Sequence, residues 1–112
     1  MEFNYDLIEQ KLLTCWSQKT SSKYSKQNPY SGQCGVTALV INDWFGGKIL
    51  KTKVNNQWHF YNLINGKRVD FTKNQFDFQL DYNDIETTRE DALSDTNEFQ
   101  YNELRCRFEA LK

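Results

Sequence analysis

Apolar residues recur at helical spacing near both ends of the chain and at strand spacing in its middle. An apolar stripe every three to four residues is typical of a helix that packs against a core. A short helix is also predicted from Thr87 or Thr88 through Leu93, because a threonine can cap a helix start. The longer stretches with the helical period are residues 4–16, 34–45 and 98–111.

Three strand-like runs, residues 48–54, 57–64 and 67–72, follow one another after the second helix. The dipeptides Asn55-Asn56 and Asn65-Gly66 separate them, and both accept the positive φ angles of two-residue hairpin turns. The pattern therefore predicts a three-stranded antiparallel meander.

The Asn65-Gly66 turn fixes which residues face each other across the second hairpin. It places Tyr61 opposite Asp70 and leaves His59 and Asp70 as diagonal neighbours on one face. Side chains at such positions are close enough to meet.

The order of these elements predicts an α+β fold in which the helix over residues 34–45, which begins at a cysteine, packs on the meander. An N-terminal helix precedes this unit, and C-terminal helices close its far side. A length of 112 residues fits a single domain, residues 1–112, with one hydrophobic core.

Composition indicates a folded chain outside the membrane. The mean hydropathy is −0.80, but eight Phe, six Tyr and three Trp supply bulky core side chains. No run of about 18 apolar residues predicts a membrane span, and the acidic start of the chain is unlike a secretory signal. Three cysteines, Cys15, Cys34 and Cys106, are an odd number at wide spacing, which favours a reducing, cytoplasmic location over a disulfide framework. Cys15 and Cys106 are predicted to be core residues.

Charge is balanced overall but uneven along the chain. The net charge is −1, with basic residues concentrated between Lys19 and Lys73 and acidic ones between Asp77 and Glu103. Neither this balance nor any motif matches a nucleic-acid-binding module, so no nucleic-acid partner is expected.

Three residues in chain order have the chemistry of a thiol-dependent acyl-transfer site. Cys34 follows a glycine-containing loop and opens an apolar helix, a position where backbone N–H groups favour the thiolate. His59 is the only histidine, and Asp70 follows it. A nucleophile, a base and a carboxylate that orients the base are what covalent catalysis by a thiol requires.

Metal and cofactor sites are not predicted. Zinc sites usually begin with a Cys-x-x-Cys pair, which the chain lacks. Gly46-Gly47 follows a helix, whereas a phosphate-binding glycine loop precedes one.

A set of short motifs occurs in order along residues 28–78. They are residues 32–39, Gly46-Gly47, His59, Asn62, Gly66, Asp70-Phe71-Thr72 and Gln75-Phe76. With them the chain resembles the YunG-like family of small, largely uncharacterised bacterial proteins. More distantly, a cysteine that opens a helix, followed by histidine and aspartate on neighbouring strands, is similar to papain-like and transglutaminase-like proteins.

The resemblance implies a papain-like or transglutaminase-like core and a hydrolase or acyl transferase acting on an amide or ester of a peptide, a protein or a small molecule. Peptidase, deamidase, amidase and transferase activities all remain open. Gln33 or Asn28 would help bind the oxyanion. Tyr61, Asn62 and Thr72 are possible lining residues of the site.

The interval from Cys34 to His59 is short for such enzymes and leaves little chain for a substrate cleft. The alternative hypothesis is therefore a binding or regulatory module on the same fold, catalytically silent or sensing oxidants through Cys34.

Overall fold

The computed structural model describes residues 2–111, in which four helices and four strands form an α+β fold. The helices are α1 (Tyr5–Cys15), α2 (Cys34–Phe45), α3 (Arg89–Ser94) and α4 (Glu98–Ala110). The strands are β1 (Lys48–Val54), β2 (Gln57–Ile64), β3 (Lys67–Val69) and β4 (Ile85–Thr87), with a 3₁₀ turn at Lys73–Gln75. The predicted bounds of α2, β1 and β2 are confirmed. The predicted α1 is one residue too long at each end, and the predicted α4 is one residue too long at its C-terminal end.

The sheet is antiparallel, with strand order β3-β2-β1-β4. Asn55, Asn56 and Asn65 have positive φ angles, as the two-residue turns require. Ile64 pairs with Lys67, so the predicted register of the second hairpin is confirmed.

Two predictions about the sheet are wrong in part. β3 ends at Val69 and not at residue 72, so the ladder stops one pair before Asp70 would face Tyr61. The sheet also has a fourth strand, since β4 pairs with the free edge of β1. A three-residue strand is too short to show a recognisable period in the sequence.

Helix α2 is the centre of the core. Its residues from Cys34 to Ile41 are all buried. One apolar cluster joins α2 to α1, α4, β2 and β3, and another joins it to β1, β2 and α3. Asn62 fixes α2 on the sheet by donating its Nδ2–H to the carbonyl of Ala38 at 3.0 Å.

The other face of the sheet is covered by residues 70–84. Thr52 and Tyr61, which share this face with His59, bond to this covering segment. Thr52 Oγ1 bonds to Asn83 at 2.9 Å, and the Tyr61 hydroxyl donates to Asp84 at 2.8 Å. The segment therefore closes over the end of β2 that carries His59.

The core prediction is confirmed for Cys15, which is buried, and is wrong for Cys106, which is exposed. Leu104 and Phe108 are the buried residues of α4. Cys106 lies two residues from each and therefore points away from the core side of the helix. Across residues 2–111, no helix is long and apolar enough to cross a bilayer.

Candidate functional site

A buried histidine–carboxylate pair lies where β2 meets the chain that leaves β3. His59 Nε2 is 2.7 Å from Asp70 Oδ2, and the two residues are 2% and 5% exposed. A carboxylate only accepts hydrogen bonds, so Nε2 carries the proton. This leaves His59 Nδ1 as the basic nitrogen.

Three further donors hold Asp70 in place. The Tyr82 hydroxyl donates to Oδ2 at 2.9 Å, while the backbone N–H and the hydroxyl of Thr72 donate to Oδ1 at 3.1 and 3.3 Å. Burial and the neighbouring Asp70 raise the pKa of Tyr82, so its hydroxyl stays protonated and keeps donating. These bonds fix the carboxylate that orients His59.

Replacing Tyr82 with phenylalanine removes one of these donors without removing the ring. We expect the free energy of unfolding to fall by about 1.5–3 kcal/mol, the usual value of a hydrogen bond to a charged group. Thermal melts followed by circular dichroism measure this. A melting temperature equal to that of the unchanged protein would mean that water replaces the hydroxyl without loss.

Cys34 lies at the first turn of α2 and is 7% exposed. Its thiol donates to Asp95 Oδ2 at 3.3 Å, and the backbone N–H of Gly35 donates to the same oxygen at 3.1 Å. Asp95 follows α3 directly. The carboxylate beside the cysteine sulfur is therefore Asp95, a residue that no sequence pattern indicated.

The expectation that the helix start lowers the pKa of Cys34 is wrong. Burial raises the pKa of the Cys34 thiol, and the negative charge of Asp95 adds to the rise. A hydrogen bond with the backbone of Phe60 opposes these effects without offsetting them. In this arrangement Cys34 is a thiol.

Cys34 and His59 line one cavity of about 190 Å³ without bonding to each other. In the described part of the chain, no hydrogen bond joins the Cys34 thiol to the imidazole. Gln75 Nε2, which also lines the cavity, lies 3.4 Å from His59 Nδ1. The basic nitrogen is thus turned toward Gln75 and the cavity that Cys34 lines.

The two predicted oxyanion donors do not line this cavity. Gln33 is 0% exposed, and its Oε1 accepts from Thr20, while its Nε2 has no partner among the described residues. Asn28 uses its Nδ2–H on the carbonyl of Gln75 at 3.0 Å. Gln75 is the amide side chain next to the histidine, and Asn28 holds its backbone.

None of the three predicted lining residues, Tyr61, Asn62 and Thr72, borders the cavity. The ring of Tyr61 stacks on His59 at a centroid distance of 5.9 Å. Thr72 bonds to Asp70, and Asn62 points to α2 on the other face of the sheet.

A larger cavity, of about 520 Å³, lies on the far side of Phe76, whose ring borders both. Asp70 and Tyr82 line it, but Cys34 and His59 do not. It therefore lacks both the cysteine and the histidine of the smaller cavity. Within residues 2–111, no group of three His, Cys, Asp or Glu side chains is placed to hold a metal ion.

Comparison with known proteins gives one family. The model of the YunG protein family matches residues 4–112. A protein of Bacillus subtilis (strain 168), described as "Uncharacterized protein YunG", is 55% identical over 93 residues, which are 83% of this chain and 81% of the relative. No solved structure matches the chain.

Proposed function

The chain belongs to the YunG family, and we propose that it is a cysteine-dependent acyl-transfer enzyme that cleaves an amide or ester bond. In this proposal Cys34 is the nucleophile, His59 is the base, and Asp70 orients the base. The substrate is a peptide, a protein or a small amide. The acyl group passes to water in a hydrolase and to an amine in a transferase.

The observation that carries this proposal is the 2.7 Å contact of His59 with Asp70, with Nδ1 left toward the cavity that Cys34 borders. A carboxylate that holds Nε2 of a buried imidazole orients the ring so that Nδ1 can take a proton from a group in the cavity. The bonds from Tyr82 and Thr72 to Asp70 make this orientation rigid.

In the reaction, the Cys34 sulfur forms a bond to the carbonyl carbon, and the thiol proton passes to His59 Nδ1. The same proton then goes to the leaving amine or alcohol as its bond to the carbonyl carbon breaks. Water or an amine then attacks the resulting thioester and loses a proton to Nδ1. The bond between carbon and sulfur breaks, and Nδ1 returns this proton to the Cys34 sulfur. Asp70 stabilises the imidazolium that forms between these steps.

The oxyanion of the tetrahedral intermediate needs preorganised donors on the cavity side. Gln75 Nε2 borders the cavity next to His59, so we assign this role to Gln75 together with the backbone N–H of Cys34. Gln33 and Asn28, neither of which lines the cavity, are replaced in this proposal.

The finer relation to papain-like and transglutaminase-like enzymes is also part of the proposal. It is supported by a cysteine at the start of a helix, a histidine on a strand, and an aspartate just after the next strand. A cytoplasmic location fits the three cysteines, all of which are free.

The alternative of a catalytically silent module is favoured by the state of Cys34, whose thiol bonds to Asp95 and whose pKa is raised by burial. The redox-sensing version has less support, because oxidant-sensing cysteines need a lowered pKa and an exposed sulfur.

Acylation by p-nitrophenyl acetate separates these functions. We expect the acetyl group to add to Cys34, with His59→Ala lowering the rate by about 10²-fold or more because the base is lost. Mass spectrometry of peptides locates the adduct, and p-nitrophenolate release gives the rate.

Cys106 is the internal control, because it is exposed and lies outside the cavity. Acetylation that falls mainly on Cys106, or a Cys34 rate unchanged in His59→Ala, would contradict the enzyme proposal and favour the silent module.

A further inference from the structure

Asp95 occupies the place beside Cys34 that a reacting group would need. One of its oxygens, Oδ2, accepts hydrogen bonds from the Cys34 thiol and from the backbone N–H of Gly35, the second residue of α2. In residues 2–111, the Asp95 side chain has no other hydrogen-bond donor and no ion pair with Lys or Arg. Its contacts are therefore to the nucleophile and to the N–H next to it.

The absence of a Cβ at position 35 allows this approach. A Cβ built on Gly35 would lie 2.6 Å from Asp95 Oδ2 and 2.8 Å from the carbonyl of Ala92. Any larger residue would therefore push the carboxylate away from the thiol.

Asp95 lies outside both apolar clusters of the core. It lies in the turn between α3 and α4, borders the same cavity as Cys34 and His59, and exposes part of its surface to solvent. A rotation of its side chain into solvent would free both the sulfur and the Gly35 N–H.

We propose that Asp95 is a latch on the nucleophile: its carboxylate keeps Cys34 protonated and hydrogen-bonded away from His59. The latch is released when an acyl donor enters the cavity and displaces the carboxylate. This inference rests on the proposed function, since it concerns how the same site is regulated. A carboxylate next to a thiol opposes thiolate formation by like-charge repulsion. It also holds the S–H toward itself, whereas catalysis needs the S–H turned to His59 Nδ1.

The groups that set the charge around the thiol come from four parts of the chain. Lys23 precedes α2, His59 is on β2, Asp70 follows β3 and Asp95 follows α3. Burial raises the pKa of Asp95 as well, while Cys34 and Gly35 oppose this rise through their hydrogen bonds. Lys23 and His59 are the cationic or basic members of the group and favour the Asp95 carboxylate.

A purely structural explanation exists and must be separated from the latch. Gln33, the N-cap residue of α2, makes no capping bond with its side chain, so Asp95 serves as the cap. Asparagine keeps an oxygen that can accept from Gly35 but has no charge, whereas alanine removes both.

The test is the rate at which iodoacetamide alkylates Cys34 as a function of pH. We expect Asp95→Asn to move the alkylation midpoint down by about one pH unit or more, with a rate at pH 7 that is raised about tenfold. Asp91→Asn is the matched control, because Asp91 lies four residues earlier in α3 and bonds to Lys51 instead of Cys34. It should leave the Cys34 profile unchanged.

Buried Cys15 reports global opening in the same samples. Faster alkylation of both Cys34 and Cys15 in Asp95→Asn would mean loosened structure and would overturn the latch. An unchanged or slower Cys34 alkylation rate in Asp95→Asn would also overturn the latch. Acceleration in Asp95→Ala but not in Asp95→Asn would overturn it as well, because only the alanine variant loses the helix cap.

The double variant with His59→Ala keeps this proposal separate from the enzyme proposal. If Asp95→Asn accelerates Cys34 and His59→Ala then slows the reaction, both stand. If Asp95→Asn accelerates Cys34 but His59→Ala changes nothing, the latch stands and the acyl-transfer function fails. If Asp95→Asn has no effect while His59→Ala still slows acylation by p-nitrophenyl acetate, only the latch fails.

Discussion

Replacing Asp70 with asparagine is expected to lower acyl transfer by about 10²- to 10⁴-fold while the protein stays folded. An asparagine oxygen can keep the bonds from Thr72, but its amide N–H₂ then faces His59 Nε2. The imidazole would accept there and carry its proton on Nδ1, the nitrogen that takes the proton of Cys34 in the proposed reaction. The tautomer would be wrong for a base, although the shape of the pair is kept.

The measurements are the rate of p-nitrophenolate release, the rate of Cys34 alkylation and the melting temperature. Asp77→Asn is the control, since Asp77 is an exposed aspartate in the segment that covers the site. If Asp70→Asn lowers the melting temperature but leaves both rates unchanged, Asp70 is structural and the silent module becomes the better hypothesis.

Replacing Gly35 with alanine is expected to give the second large effect, a loss of stability together with release of the thiol. The added Cβ meets the backbone carbonyl of Ala92 at 2.8 Å, which cannot move without shifting α3 from α2. Overpacking of this kind costs about 1–3 kcal/mol. The melting temperature should therefore fall by about 5–15 °C for a chain of this size.

The same Cβ would lie 2.6 Å from Asp95 Oδ2, so the carboxylate must leave the thiol. Cys34 should then be alkylated faster than in the unchanged protein, at a temperature well below the melting point. Gly46→Ala is the control, because position 46 has open space around its Cβ and only a positive φ to strain. A melting temperature for Gly35→Ala equal to that of the unchanged protein would show that α2 and α3 separate easily.

The site was predictable where it follows from local geometry. A two-residue turn at Asn65-Gly66 fixes the register of the second hairpin, and that register brings His59 within reach of Asp70. The contact forms although β3 ends at Val69, the residue before Asp70.

The surroundings of Cys34 were not predictable in this way. The sequence places the cysteine at a helix start, where the dipole lowers the thiol pKa, but the pKa depends on every charge and on the burial around the sulfur. Asp95 reaches the sulfur from 61 residues away. No spacing rule connects a residue after α3 with the first turn of α2.

The sequence by itself determined the elements with strong periods and tight turns: α1, α2, α4 and the β1-β2-β3 order, and through them the His59–Asp70 pair. These depend on interactions between residues near in sequence, which a pattern records. Only the tertiary structure decided that β4 completes the sheet, that Gln75 faces the histidine, and that Asp95 holds the thiol. Those contacts join distant parts of the chain, and they exist because packing around α2 brings the ends of β2 and α3 to one cavity.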